Sequence, residues 1–245
     1  MRAMIFAAGL GTRLRPFTEA HPKALYTLNG KTLLQYQIEQ LKAAGVRDII
    51  INVHHFAEQV IDYLNANDNF GLHIEISDER GRLLETGGGL KHAKHFFCNE
   101  PFIACNVDIL SNIDLRCLME AHKKEDLATV VVAERETKRY LLFDKEQRMC
   151  GWTNISTGEV RPESILPSVQ EFKHLAFSGM QILNGGVFQY MDDELGERFS
   201  LIDFYVQNCA EHNIRAYEQQ GYKMMDIGKT EILQAAEQFV RSLGL

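Results

Sequence analysis

"MRAMIFAAGLGTRLRP" occupies residues 1–16, and its first half decides the fold class. From Ala3 to Ala8 every residue is apolar, with no polar alternation. A strand of that kind needs cover on both faces, which points to a parallel sheet flanked by helices. The run then breaks at Gly9 and Gly11, passes Arg13 and Arg15, and meets Pro16. A chain that leaves a buried strand through glycines and arginines forms a loop suited to an anion. In parallel α/β sheets, ligands bind at this carboxyl edge.

Outward from this stretch the chain keeps a strand–helix rhythm. Residues 31–45 place Leu33, Leu34, Ile38 and Leu41 on one helical face and stop at Gly45. Residues 47–53 ("RDIIINV") read as a second buried strand, 56–67 as a second amphipathic helix, and 72–77 as a strand. Residues 87–97 become helical after three glycines, and 101–110 ("PFIACNVDIL") form a strand that runs into polar residues. The order predicts an α/β, Rossmann-like, doubly wound, mixed but mostly parallel sheet with right-handed crossovers. Three polar clusters fall at its carboxyl edge: Gly9 to Lys23, Glu85 to Gly89, and Asn106 with Asp108.

From about residue 128 the pattern changes. "ATVVVAE" (128–134), "RYLLFD" (139–144) and "RMCGWT" (148–153) read as successive antiparallel strands with short turns. A strand at 174–184, a helix near 200–212, the strand "IRAYEQ" (214–219), the segment "YKMMDIG" (222–228) and a helix from about 229 follow. A single domain over 1–245 is expected. Its second half adds strands to the same sheet and walls one side of the cleft.

Composition narrows the function classes. The net charge of −7 argues against a nucleic-acid binder, so an anionic ligand must be held locally. The loop from 8 to 30 does this: it carries Arg13, Arg15 and Lys23 against one carboxylate, Glu19. Five cysteines, an odd number without a C-x-x-C pair, predict neither a disulfide framework nor a zinc site. The apolar run before Gly9 is too short for a signal peptide or a membrane span, and a cytoplasmic protein is expected. His92 and His95 stand among lysines and read as a solvated helix face, and Trp152 reads as packing.

Two familiar phosphate loops do not fit. The dinucleotide fingerprint fails at Leu14, where its third glycine belongs, at Pro16, and after "NVHH", where no carboxylate awaits a ribose. Gly-Lys-Thr stands at 30–32 and 228–230, but neither has the glycine five residues earlier that completes a P-loop.

"AAGLGTRLRP…HPKAL" is similar to the signature of the sugar-phosphate nucleotidyltransferases, in which Pro-Lys follows the glycine-arginine loop at the spacing of Pro22-Lys23. "LETGGGL" (84–90), "NVD" (106–108), "FSGMQI" (177–182) and "MMDIGKTEIL" (224–233) resemble later segments of that family, in the same order. The resemblance implies transfer of a nucleotidyl group from an NTP to a sugar 1-phosphate, with Mg²⁺ and release of pyrophosphate. The first 110 residues then form the nucleotide half and residues 111–245 the sugar half. It puts Ala8, Gly9, Gly11, Thr12, Arg13, Lys23, Glu85, Gly87 and Gly88 on the nucleotide. Arg13, Lys23 and Asp108 carry the catalysis, and Asp108 and Asp226 the metal. Asn106, Gly151, Ser178 and Gly179 fall on the sugar side.

The "ETGGG" and "NxD" details are nearest to a bacterial group of N-acetylmuramate 1-phosphate uridylyltransferases and mannose-1-phosphate guanylyltransferases, which puts UTP ahead of GTP. No nucleic-acid or membrane partner is expected, and the chain is taken as a monomer or small homo-oligomer. Too few residues follow Asp226 for the β-helix domain of larger relatives, so a second activity is not expected.

Two features depart from the family pattern. Val107 stands where many relatives have glycine, and "QEFKHLAF" replaces their Glu-Lys-Pro run, leaving Glu171 or Lys173 as substitutes. Spacing alone does not pair Asp108 with Asp226; only the resemblance does, and the alternatives are a helix cap for Asp108 and a turn residue for Asp226. A non-catalytic nucleotide-sugar sensor on the same fold, and a cytidylyltransferase for a phospho-alcohol, are the alternatives. Loss of both carboxylates would favour the sensor.

Overall fold

A computed structural model describes residues 1–191, 194–228 and 233–244. After β1 (Arg2–Phe6) the chain passes through three short 3-10 turns and a tight hairpin, β2 (Thr27–Leu28) and β3 (Lys31–Thr32). It then enters α1 (Leu33–Ala43), whose N-cap Thr32 accepts from the Gln35 N–H at 3.0 Å. β4 (Asp48–Val53), α2 (Ala57–Ala66), β5 (His73–Asp78), α3 (Glu85–His92) and β6 (Phe102–Asn106) complete the first half.

The second half holds β7 (Ile109–Ser111), α4 (Leu115–Ala121), β8 (Asp126–Ala133), β9 (Arg139–Phe143), β10 (Met149–Asn154) and β11 (Glu159–Arg161). β12 (Lys173–Leu183), α5 (Leu201–Asn208), β13 (Asn213–Tyr217), β14 (Met224–Asp226) and α6 (Leu233–Leu243) follow. The expected helix start near 229 falls outside the described residues.

One ten-stranded sheet carries the molecule, in the order β11-β10-β9-β12-β6-β1-β4-β5, with β8 and β13 attached through β12. β1 pairs in parallel with both β4 and β6, Ile5 lying level with Ile51 and Cys105. The chain steps outward from β1 to β4 to β5 and then returns to the other side of β1. Right-handed crossovers require a helix to change face at that reversal. It does: α1, α2, α4 and α6 pack with Ala3 and Ile5 on one face, while α3 and α5 pack with Met4 and Phe6 on the other. The gap between the carboxyl ends of β1 and β6 is therefore the switch point, where open α/β sheets bind their ligands.

Two expectations are corrected. Residues 101–110 do not form one strand. The main sheet ends at Asn106, and β7 turns away to pair with β14, Asp226 lying opposite Ile109. β8 does not form a hairpin with β9; it lies antiparallel to β12 and parallel to β13, while β9, β10 and β11 make the antiparallel meander. The apolar runs were read correctly, but their partners are set by the 11-residue β12, which pairs with β6, β8 and β9.

Candidate active site

The switch point opens into a cleft of about 510 Å³. Its floor and walls include Ala8, Gly9, Gly11, Thr12, Arg13, Lys23, Glu85, Asn106 and Asp108, all expected from the sequence. Leu10, Asn52, Leu83, Thr86, Val107, Ser200 and Gly228 line it as well.

The loop is held from within. Gly11 takes a left-handed conformation, φ 60°, and a Cβ there would lie 2.9 Å from both the Lys23 Cβ and the Thr18 methyl. Its carbonyl accepts from the Leu14 N–H and the Thr18 hydroxyl. Glycine is thus what lets Lys23 lie against the turn. Lys23 is nearly buried and ion-pairs with Asp108, which follows the end of β6. Burial of a cation requires such a partner. Gly9 differs: nothing lies within 4 Å of its Cβ position, so its backbone faces open space.

Behind the loop stands a network invisible in the sequence. Asn52, at 2% exposure, accepts from the Ala7 and Ala8 N–H groups at 2.7 and 3.3 Å. Its amide donates to Glu79 at 2.7 Å, and Glu79 also accepts from the Leu84 N–H at 3.0 Å. Burial pushes the Glu79 carboxyl up, and these hydrogen bonds only partly offset it. The pattern "NVHH" offers no carboxylate to a ribose, yet its asparagine holds the backbone that leads into the glycine loop.

Asp226 and Asp108 come together through the β7–β14 ladder. Asp226 sits opposite Ile109, the residue after Asp108, and the Ile227 N–H donates to the Asp108 carbonyl at 2.8 Å. Loss of solvent raises the Asp226 carboxyl pKa first, and the Asp108 charge raises it further. Lys23, Arg13 and Arg135 pull it the other way. A Cβ on Gly228 would lie 2.7 Å from Asp226 Oδ1 and 3.0 Å from Arg13 Nη2, so that glycine lets the carboxylate and the guanidinium close over it.

Other expected residues stand elsewhere. Gly87 and Gly88 do not line the cleft. Their N–H groups donate to the Phe199 carbonyl at 2.9 and 3.1 Å, and a Cβ on either would strike Phe199 or the Glu197 carbonyl. They pack α3 against the segment before α5 rather than exposing backbone to a base. Glu85 does reach the cleft; it takes φ 63° and pairs with Arg198 at 3.0 Å. Gly151 is packed in β10 against Arg161 and Ile165 and does not line this cleft. Ser178 is buried at the β12 bulge, and a Cβ on Gly179 would lie 3.0 Å from Asn106 Nδ2. The bulge therefore abuts Asn106 without lining the cleft.

Lys173 pairs with Glu134 and Glu218, and with Glu171 it lines a separate hollow. Val107 is buried in the core and its N–H donates to Phe6. Arg15 is exposed and does not line the cleft. Trp152 is core, with Arg161 4.2 Å over its ring. Among the described residues no group of three or more His, Cys, Asp or Glu is placed to hold a metal, and no helix is long and apolar enough to cross a membrane.

Comparison with known proteins adds independent findings. A family model described as nucleotidyl transferase matches residues 2–242. The N-acetylmuramate alpha-1-phosphate uridylyltransferase of Caulobacter vibrioides is 47% identical over 108 residues, 43% of this chain and 45% of that protein. The mannose-1-phosphate guanyltransferase of Yarrowia lipolytica is 30% identical over 234 residues, 94% of this chain and 61% of that protein. The matched stretches thus span about half to three-fifths of these relatives. A structure described as a putative glucose-1-phosphate thymidylyltransferase from Bacillus anthracis superposes with a TM-score of 0.81 at 19% identity, covering 98% of this chain and 95% of that one, which supports the fold.

Proposed function

The chain belongs to the nucleotidyl transferase family, and from that premise we propose that it transfers a nucleotidyl group from an NTP to a sugar 1-phosphate, releasing pyrophosphate. Residues 1–110 serve as the nucleotide half and residues 111–245 as the sugar half of one domain. The observation that carries this reading is the meeting of Lys23, Asp108, Asp226 and Arg13 at the mouth of the glycine loop. Two phosphate esters repel each other, so bringing them together is mostly a matter of charge neutralisation and alignment. A general base is unnecessary, because the attacking phosphate is already ionised near neutral pH.

The residues have distinct tasks. Backbone N–H groups from Gly9 to Arg13 cradle the triphosphate, and the open space at Gly9 admits its oxygens. Arg13 forks the departing pyrophosphate. Lys23, fixed against Gly11, bridges the α-phosphate and the incoming sugar phosphate as a compact charge. Glu85 and Thr86 face the nucleoside, and Asn106 faces the sugar. The oxygen of the sugar phosphate then attacks the α-phosphorus in line, and the bond to pyrophosphate breaks.

Mg²⁺ suits the two carboxylates. It takes oxygen ligands, keeps several waters, and is commonly held by one or two carboxylates plus substrate phosphates. Asp226 is raised first by burial and then by the Asp108 charge, and a divalent cation relieves that second contribution. When bound there, Mg²⁺ supplies positive charge to the phosphate oxygens.

The relatives named above use different bases and sugars; we place UTP ahead of GTP because the 47% match is to a uridylyltransferase. The test crosses four NTPs with N-acetylmuramate, N-acetylglucosamine, mannose and glucose 1-phosphates, reading pyrophosphate release. Turnover with at least one pair is expected with Mg²⁺ and not with EDTA. No turnover with any pair rejects the assignment.

A further inference from the structure

Beside the β12 bulge, outside the residues that line the cleft, lies a second polar assembly. Arg135 sits in the connection between β8 and β9, exposed to solvent. Its guanidinium donates to the Phe177 carbonyl at 2.9 Å, which fixes it beside the β12 bulge at Ser178–Gly179. The same bulge abuts Asn106. Among the described residues, no carboxylate comes within ion-pairing distance of Arg135, whereas the adjacent Glu134 is paired with Lys173.

Next to it three hydroxyls gather. Tyr222 stands against Ser111 and Ser178. Ser178 is fully buried and Ser111 nearly so, and beyond one another the three hydroxyls have no hydrogen-bond partner. Buried hydroxyls that have only each other keep donor and acceptor capacity to spare. A cation held by a backbone carbonyl and left without a counter-ion, beside hydroxyls that have only each other, makes a receptor for an oxyanion.

We propose that Arg135 is a specificity-determining residue that receives a carboxylate borne by the acceptor sugar, with the Ser111–Ser178–Tyr222 cluster beside it. This rests on the transferase reading above. Arg135 does not line the cleft that holds Lys23, Arg13 and Asp108, so the anion it meets is not the reacting phosphate but a group further out on the sugar. A sugar phosphate without that second charge leaves the guanidinium to water.

The test compares two acceptors that differ only by a lactyl ether carboxylate, N-acetylmuramate 1-phosphate and N-acetylglucosamine 1-phosphate. Both are assayed with the wild-type enzyme and with Arg135→Ala and Arg135→Lys, using the best NTP. A charge-assisted pair of this kind supports a preference of about tenfold or more in kcat/KM. The wild type should favour the carboxylate-bearing acceptor. Arg135→Ala should erase the ratio through the acceptor KM, Arg135→Lys should restore part of it, and the KM for NTP should stay unchanged. The proposal is overturned if the wild type favours the neutral acceptor, if Arg135→Ala slows both acceptors equally, or if the KM for NTP moves instead. A wild type that turns over both acceptors without the preference refutes only this assignment. Absence of turnover with any acceptor refutes the transferase reading itself.

Discussion

The molecule has two glycine-rich segments at one cleft, and they use glycine for opposite reasons. In the loop after β1, Gly9 faces open space and Gly11 makes room for Lys23. In α3, Gly87, Gly88 and Gly89 face the protein itself: the Phe199 ring, the Glu197 carbonyl and the Glu79 carboxylate, the last 2.6 Å from a Cβ on Gly89. One segment is open to the cleft. The other is closed by its own fold, and it presents Glu85 and Thr86 to the cleft from a braced position. A glycine run in a sequence therefore marks close approach, without saying whether the approaching group is a substrate or the chain.

The largest expected effect tests the open segment. Lys23→Ala should lower kcat by about 10²–10³-fold, the usual cost of losing one preorganised electrostatic contact to a transition state, while the circular dichroism spectrum is retained. Near-normal turnover would show that the loop does not serve the reaction.

The two glycine segments can then be set against each other directly. Gly88→Ala drives a methyl group into the Glu197 carbonyl, and overpacking of that kind costs about 1–3 kcal/mol. Gly9→Ala meets no atom, so its thermal midpoint should match the wild type, with the loss confined to kcat/KM for NTP. The comparison breaks if Gly9→Ala is the variant that melts early.

The smallest effect concerns the residue between the segments. Glu79 touches Asn52 of the phosphate-side network and faces Gly89 of α3. Its carboxyl pKa is raised above the ordinary 4.5, chiefly by burial. Its contribution to stability is therefore fully present below that value and declines as pH rises through the raised one, the reverse of a salt-bridged carboxylate. Chemical denaturation at about pH 4.5 and at neutral pH should show wild type losing stability relative to Glu79→Gln as pH rises. A pH-independent difference would mean that the charge is solvated in the folded protein.

Much of this architecture is legible in the chain. The apolar run from Ala3 to Ala8 carries the demand for cover on both faces, and the 3.6-residue spacing of Leu34, Ile38 and Leu41 carries a helix to supply it. Lys23 and Arg13 are legible as loop cations. Asn52 is not, because an amide at a strand end gives no signal until the backbone it serves has curled over it. Nor is the packing of Gly151, a sugar-side candidate in the sequence whose Cβ position is filled by Arg161 and Ile165. Arg135 is a surface arginine in sequence terms, and only the β12 bulge gives it an address.

The sequence by itself determined which segments become strands and helices, because hydrophobic period and backbone preference act over a few neighbouring residues. The tertiary structure alone decided that residues 101–110 divide at Val107–Asp108, that β7 leaves the sheet for β14, and that Asp226 thereby arrives beside Asp108. Such a meeting depends on the register between strands far apart in the chain, and no local rule of spacing carries that register.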